Sequence, residues 1–292
     1  MNFVKLHGTG NDFVLIDGRR HQSNSWPELA RAMCDRHFGV GADGILVVGE
    51  STAADYRMIM YNPDGSEAEM CGNGIRCFAK YLYDSGAVAG SNILIETGAG
   101  LKQVEIEAAD GVAQRVIVDM GAPIFEPSLI PVDLPGTEIV DLAHVVDGRA
   151  LSLTAVSMGN PHAIHFLEGT VWDFPLEQIG PLVEHDSLFP RRVNFEIAQV
   201  PTAEEIDVRV WERGAGITLA CGTGACAVFA AARRKGLVGD WATLHLPGGE
   251  LAMRIGSDGH ILMAGPAEYV FRGEWPEPSQ ELNRLPTFVA EK

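Results

Sequence analysis

Cys71-Gly72-Asn73-Gly74 and Cys221-Gly222-Thr223-Gly224 lie 150 residues apart, and each opens a stretch of helical character. After the first, residues 73–84 (NGIRCFAKYLYD) place Ile75, Phe78, Ala79 and Leu82 on one face of a predicted helix. After the second, residues 223–235 (TGACAVFAAARRK) are rich in alanine and end on Arg233, Arg234 and Lys235 before Gly236, the basic end and glycine stop of a helix C-terminus. The same displacement of 150 lays Tyr61-Asn62 on Trp211-Glu212, each at the end of an alternating strand, 55–61 and 206–211. A displacement of 149 lays Gly10-Asn11 on Gly159-Asn160. Three features in register point to a duplication: an α+β chain of two pseudo-symmetric, strand-rich domains related by a pseudo-twofold axis.

Further strands are expected at 12–17, 45–49, 93–97, 102–107, 115–119, 152–157, 162–167, 193–200, 242–246, 251–255 and 260–263, and a third helix over about 173–185 with Pro175 near its first turn. Residues 121–137 hold Gly121, Pro123, Pro127, Pro131, Pro135 and Gly136, which suit a linker or crossover. The domains are therefore read as 1–121 and 122–267. The tail has one strand-like piece, 268–272, then a Pro/Glu-rich end expected to be poorly ordered.

A chain of 292 residues has room for two ordinary cores. Its formal net charge of −17 argues against nucleic-acid and anionic-membrane partners, which need a Lys/Arg surplus. No apolar run approaches the length of a membrane span, and the start carries no secretory pattern, so the expected location is the cytoplasm. The five cysteines are Cys34, Cys71, Cys77, Cys221 and Cys226; an odd set without Cys-x-x-Cys spacing gives neither a disulfide framework nor a zinc site.

Each Cys-Gly-x-Gly sits where a loop enters a helix. The first helical N–H groups lack intrahelical partners and the dipole is positive there, so such an end cradles a carboxylate and is expected to lower the pKa of a thiol placed on it. A pseudo-twofold axis would bring two such ends together, with one thiol on each face of a bound carbon. One thiolate could then remove a proton and the opposite thiol return one, inverting the centre. A single such motif reads as a mere turn with a small buried cysteine; the second copy in register promotes the chemistry. Cys34, Cys77 and Cys226 read as core. Glu212-Arg213 could be a solvated strand end and Gly159-Asn160-Pro161-His162 a plain turn, but the repeat moves both toward the site. No lysine stands in a recognisable Schiff-base pattern, so no cofactor is expected.

These segments resemble the diaminopimelate epimerase family over nearly the whole chain. The resemblance rests on Lys5–Phe13 (KLHGTGNDF), Gly39–Gly44 (GVGADG), Tyr61–Cys77, Met158–His162 (MGNPH), Arg192–Asn194 (RVN) and Trp211–Cys226. It implies two β-rich domains, each a barrel-like sheet around a central helix, with the site in the cleft between them and a last strand at about 268–280 returning to the first domain. It implies interconversion of L,L- and meso-diaminopimelate without pyridoxal phosphate or metal, in lysine and peptidoglycan-precursor synthesis, by a homodimer. The bases fall on Cys71 and Cys221, and the residues tuning them on His162 and Glu212. The carboxylate cradle falls on Gly72, Asn73, Gly222 and Thr223, and further substrate contacts on Asn11, Asn62, Asn160, Asn194, Glu212 and Arg213. One departure is Gly44, where some relatives carry Gln. Proline racemases and hydroxyproline epimerases typically have His after the first Cys-Gly, where this chain has Asn73, and lack Trp-Glu-Arg-Gly. An amino-acid racemase of other specificity would have less need for the full set Asn62, Asn160, Asn194 and Arg213, and a non-catalytic zwitterion binder would have no need of two thiols facing one cleft.

Overall fold

The computed structural model describes residues 1–21 and 25–276. The first half contains β1 (Asn2–Gly8), β2 (Asn11–Asp17), α1 (Trp26–Cys34), β3 (Gly44–Gly49), β4 (Tyr56–Tyr61), β5 (Glu67–Ala68), α2 (Gly72–Asp84), β6 (Asn92–Thr97), β7 (Gly100–Ala109) and β8 (Val112–Asp119). The second contains β9 (Leu142–Val146), β10 (Arg149–Ser157), β11 (Pro161–Phe166), α3 (Leu176–Glu184), β12 (Asn194–Thr202), β13 (Glu205–Glu212), β14 (Gly216–Thr218), α4 (Gly222–Arg234), β15 (Trp241–Leu246), β16 (Gly249–Ile255) and β17 (Ile261–Gly265). Strand β18 (Glu268–Glu274) follows.

The ladders repeat. In the first half β1 pairs β2, β2 runs parallel to β3, β3 is antiparallel to β4, β4 parallel to β6, and β6, β7 and β8 form a meander. In the second half the same sequence of pairings joins β10, β11, β12, β13, β15, β16 and β17. The register matches as well: Phe13 faces Gly44 as His162 faces Asn194, and Ile45 faces Tyr61 as Phe195 faces Trp211. The halves are joined by antiparallel β8–β17 pairing. At the outer ends β18 pairs β1 and β9 pairs β10.

Each sheet wraps one helix. In α2 every residue from Gly72 to Lys80 is buried, and in α4 every residue from Gly224 to Ala232. This is why α4 is alanine-rich: small side chains let strands approach on all sides, while Phe78 and Phe229, both 0% exposed, fill the wider gaps. Truncating either ring to alanine would cost about 3–5 kcal/mol. Both helices stop on a left-handed glycine, Gly86 (φ 73°) and Gly236 (φ 72°). Ala87 N–H donates to Leu82 O and Leu237 N–H to Ala232 O, each at 2.9 Å, closing the helix ends in the same way.

Some elements depart from the sequence expectation. Helix α1 has only Ala30, Met33 and Cys34 buried, too few to leave a periodic signal, and β1, β5, β9 and β14 were not foreseen. The third helix begins later than expected, and Pro175 is its N-cap rather than a first-turn residue; Pro181 lies inside it. The Pro-rich stretch at 121–137 is more than a linker: Pro127–Leu129 form a 3₁₀ turn, and Ile130 and Val132 are buried in the second half's outer cluster. The Pro/Glu-rich end beyond 276 lies outside the described residues.

Candidate active site

The N-termini of α2 and α4 abut. A methyl group on Gly72 would lie 3.6 Å from Gly222 Cα, and one on Gly222 only 3.4 Å from Gly72 Cα. These are ordinary contact distances, and the tighter neighbour of a methyl on Gly72 would be Met263 Cε at 2.9 Å. Asn73 Nδ2 crosses between the halves to Ala220 O at 3.1 Å and also donates to Asn11 Oδ1 at 3.2 Å. Cys71 and Cys221 are the two N-cap residues, and both are in extended conformation. Cys71 Sγ accepts from Gly74 N–H at 3.4 Å, and Cys221 Sγ from Gly224 N–H at 3.3 Å. Cys71 Sγ also lies 3.6 Å from Asn11 Oδ1, and Cys221 Sγ 3.5 Å from Thr223 Oγ1.

A cavity of about 350 Å³ opens over this junction. Asn11, Cys71, Gly72 and Asn73 line it from the first half; Asn160, Glu212, Cys221, Gly222 and Thr223 line it from the second. Met70, Met120 and Met158 supply apolar wall, and Lys102 and Glu69 stand at its side. A second cavity, about 890 Å³, adjoins it and shares Asn11, Cys71 and Glu212. Asn62 and Arg213 line this larger one, with Arg36 and Asp43. Arg213 is exposed and donates through Nη1 to Arg191 O at 3.1 Å. Asn11 is held by Asp43, whose carboxylate accepts from Asn11 Nδ2 at 2.7 Å.

His162 and Asn194 line neither cavity. They support it from behind. His162 is 0% exposed; Nδ1 lies 2.7 Å from Glu196 Oε1 and Nε2 2.9 Å from Asn160 Oδ1, so both ring nitrogens face oxygens. Asn160 in turn donates to Thr223 Oγ1 at 3.3 Å. Asn194 donates to Pro161 O at 2.8 Å and accepts from Arg213 N–H at 2.9 Å, fixing the turn that bears Glu212 and Arg213. Glu212 accepts from the Thr218 hydroxyl and reaches Cys221.

The thiols behave differently from the expectation based on the helix ends. Burial pushes the Cys71 thiol up; the N–H groups of Gly74 and Asn73 oppose this, as does Arg76, but do not prevail. Burial pushes Cys221 well up, and the carboxylates of Glu212 and Glu196 push it further. Glu212 is itself raised, first by burial and then by Glu196. Desolvation outweighs the helix terminus at this junction. Cys34, Cys77 and Cys226 are buried, as their core reading required, with thiols raised by burial.

Sequence reasoning missed two acids. Glu196 is 0% exposed beneath Cys221, where its Oε1 would lie 2.6 Å from a methyl group on Gly224, and its Oε2 has no hydrogen-bond partner among the described residues. Glu184 accepts from Trp211 Nε1 at 2.7 Å and from Gly214 N–H at 2.9 Å, holding the Glu212–Arg213 turn from the other side. Glu196 left a signal: it is the one charge in an apolar strand run, Phe195–Ala198, whose members are all buried. Glu184, in the last turn of a helix, left none.

The diaminopimelate epimerase family model matches residues 3–126 and 154–270. A relative from Pelotomaculum thermopropionicum named diaminopimelate epimerase is 49% identical over 278 residues, covering 94% of this chain and 99% of its own length. One of the same name from Methanococcus maripaludis is 46% identical over 275 residues, with 94% and 99% covered. Among solved structures, a probable proline racemase from Agrobacterium radiobacter superposes with a TM-score of 0.69 at 16% identity, covering 96% of this chain and 94% of that one. A phenazine biosynthesis protein of the PhzF family from Bacillus anthracis also gives 0.69, at 19% identity, with 95% and 99% covered. These two share the mostly β, two-domain fold.

Proposed function

The chain belongs to the diaminopimelate epimerase family, and from that premise we propose that it interconverts L,L- and meso-diaminopimelate by a two-base reaction on Cys71 and Cys221, without pyridoxal phosphate or metal. The observation that carries this reading is the meeting of two Cys-capped helix N-termini at Gly72 and Gly222 over one cavity.

The α-carboxylate of the reacting end sits in the cradle of free N–H groups at the two helix starts, flanked by Asn73 and Thr223. One cysteine, as thiolate, takes the α-proton; negative charge spreads into the carboxylate, where the N–H groups and both helix dipoles stabilise it. The other cysteine, as thiol, gives a proton to the opposite face. The electron pair of the broken C–H bond ends in the new one, and the thiol and thiolate have exchanged roles. Raised thiol pKa values serve the proton-donating half of this cycle, and a thiolate generated in a desolvated cleft is a stronger base than one in water. Glu212, His162 and Glu196 set the charge around Cys221, and Asn11 and Asn160 flank the two faces.

Diaminopimelate carries a second amino-acid end. The larger adjoining cavity, with Asn62 and Arg213, receives it: the guanidinium pairs with the distal carboxylate and Asn62 with the distal polar groups. Substrates lacking that end leave these groups unpaired and are rejected. The reading carries with it a cytoplasmic location, and a homodimer and a place in lysine and peptidoglycan-precursor synthesis, these two taken from the family resemblance.

The test is α-proton exchange in D₂O under reducing conditions, with L,L-diaminopimelate, L-proline, L-histidine and L-lysine offered separately. Deuterium uptake with formation of the meso isomer from diaminopimelate alone is expected. Exchange on a different amino acid would move the substrate, and no exchange on any would return the protein to a binding role.

A further inference from the structure

Arg76 is 0% exposed, and among the described residues no carboxylate pairs with it. It is the fifth residue of α2, and its side chain runs back toward the helix N-terminus, as long helical side chains do. Nη1 donates to Gly72 O at 3.1 Å, Nη2 to Thr9 Oγ1 at 3.2 Å and Nε to Pro266 O at 3.2 Å. The fold leaves room for it: a methyl group on Gly8 would come within 3.1 Å of Nη2, and one on Gly265 within 3.1 Å of Nε. A guanidinium buried among neutral acceptors is costly and calls for a nearby anion. The groups that can supply one are the thiols of Cys71 and Cys77 on α2 and Cys226 on α4. Of the three only Cys71 opens onto the cavity; burial pushes the other two up to about 12.

We propose that Arg76 is a positioning residue for the reaction: a fixed buried cation that makes Cys71 the more readily ionised of the two thiols while tying the α2 terminus to Thr9 and to the turn between β17 and β18. The position in α4 that matches Arg76 is Cys226, so the second thiol has no such cation. The other charged groups facing Cys71 are Glu212 from β13, Glu69 just before the helix and Lys102 from β7, with Arg213, Asp64 and the Arg36–Asp43 pair in the larger cavity. The catalytic meaning of this cation rests on the epimerase reading; its effect on Cys71 does not.

The test is the pH dependence of iodoacetamide alkylation at each cysteine, read peptide by peptide by mass spectrometry without substrate. In the unaltered protein Cys71 should react faster than Cys221 at pH 8, with its profile at lower pH; a Cys71 profile at or above that of Cys221 overturns the proposal. In Arg76→Met the Cys71 rate at pH 8 should fall about tenfold, one pKa unit, with Cys221 changed by less than about twofold. Arg76→Lys, which keeps the charge, should stay within about threefold of the unaltered protein. Unchanged Cys71 alkylation in folded Arg76→Met, or equal slowing of both thiols, overturns it. If Arg76→Met does not fold, a tenfold slowing of Cys71 in folded Arg76→Lys does so. Because no substrate is used, a negative result leaves the proposed activity standing, and failure of the deuterium-exchange test leaves Arg76 standing.

Discussion

Leu46 lies against Gly74 in the first half, whereas Glu196 lies against Gly224 in the second. These are matched positions of the duplicated fold, and the contrast continues around them. Phe13 answers to His162, Gly44 to Asn194, and Arg76 to Cys226. One thiol thus rests on an apolar bed with a buried cation behind it; the other rests on a carboxylate and an imidazole. Duplication supplied symmetric geometry, which a reaction acting on both faces of one carbon requires. Divergence beneath the surface made the surroundings of the two thiols electrostatically unequal, which the proposed exchange of one proton between them would use. The contrast also accounts for Gly44: its counterpart Asn194 accepts from Arg213 N–H, whereas the matching residue of the first half, Pro63, has no N–H to give.

The largest effect expected on this comparison comes from removing either thiol. Cys71→Ala and Cys221→Ala should each lower epimerisation by at least about 10³-fold, measured by chiral chromatography. Each should retain slow deuterium exchange on one stereoisomer only, and on opposite ones. If both variants exchanged the same isomer, the thiols would not face each other across the carbon.

Next is Arg213, which has Pro63 as its counterpart and so belongs to the second half alone. Arg213→Lys should lower kcat/KM for diaminopimelate by about 10–100-fold, because a point charge cannot copy a forked contact. The loss should appear mainly in KM, with the thermal midpoint little changed; an unfolded variant would make Arg213 structural.

Glu196→Gln addresses the asymmetry directly. Removing a negative charge beside Cys221 favours its thiolate, so its alkylation profile should move to lower pH by about one unit while that of Cys71 holds. Equal movement of both profiles would mean the halves share one field.

The smallest effect compares two glycines. A methyl group at Gly224 meets Glu196 Oε1 at 2.6 Å, whereas at Gly74 the nearest atoms are side-chain carbons of Leu46, Cys71 and Phe13, led by Leu46 Cδ2 at 3.2 Å. Gly224→Ala should therefore be less stable than Gly74→Ala by about 1–2 kcal/mol in urea denaturation. Equal stabilities would show that Glu196 moves aside without cost.

The duplication was legible because helices capped by Cys-Gly-x-Gly keep their spacing through divergence, and the central helices, strand ladders and paired cradle follow from it. Three parts were not legible. Helix α1 buries too few residues for a period. The carboxylates of Glu184 and Glu196 act through contacts made only when distant strands and helices meet. The thiol pKa values turned on desolvation, which depends on how the halves close over each other, whereas a helix start seen alone promises the reverse. His162 and Asn194 were identified through the family, yet both sit behind the cavity wall rather than in it.

The strand that completes each half at its outer end comes from a different part of the chain. The second half receives β9 from the residues just before β10, so its edge is covered as soon as it is made. The first half must wait for β18, which pairs Asn2 with Glu274 and closes over β1 only after the second half has been made. Until then β1 has an open edge facing the emerging polypeptide, a site for wrong pairing. The second half, although translated later, can finish first, and β18 then seals β1 into the sheet.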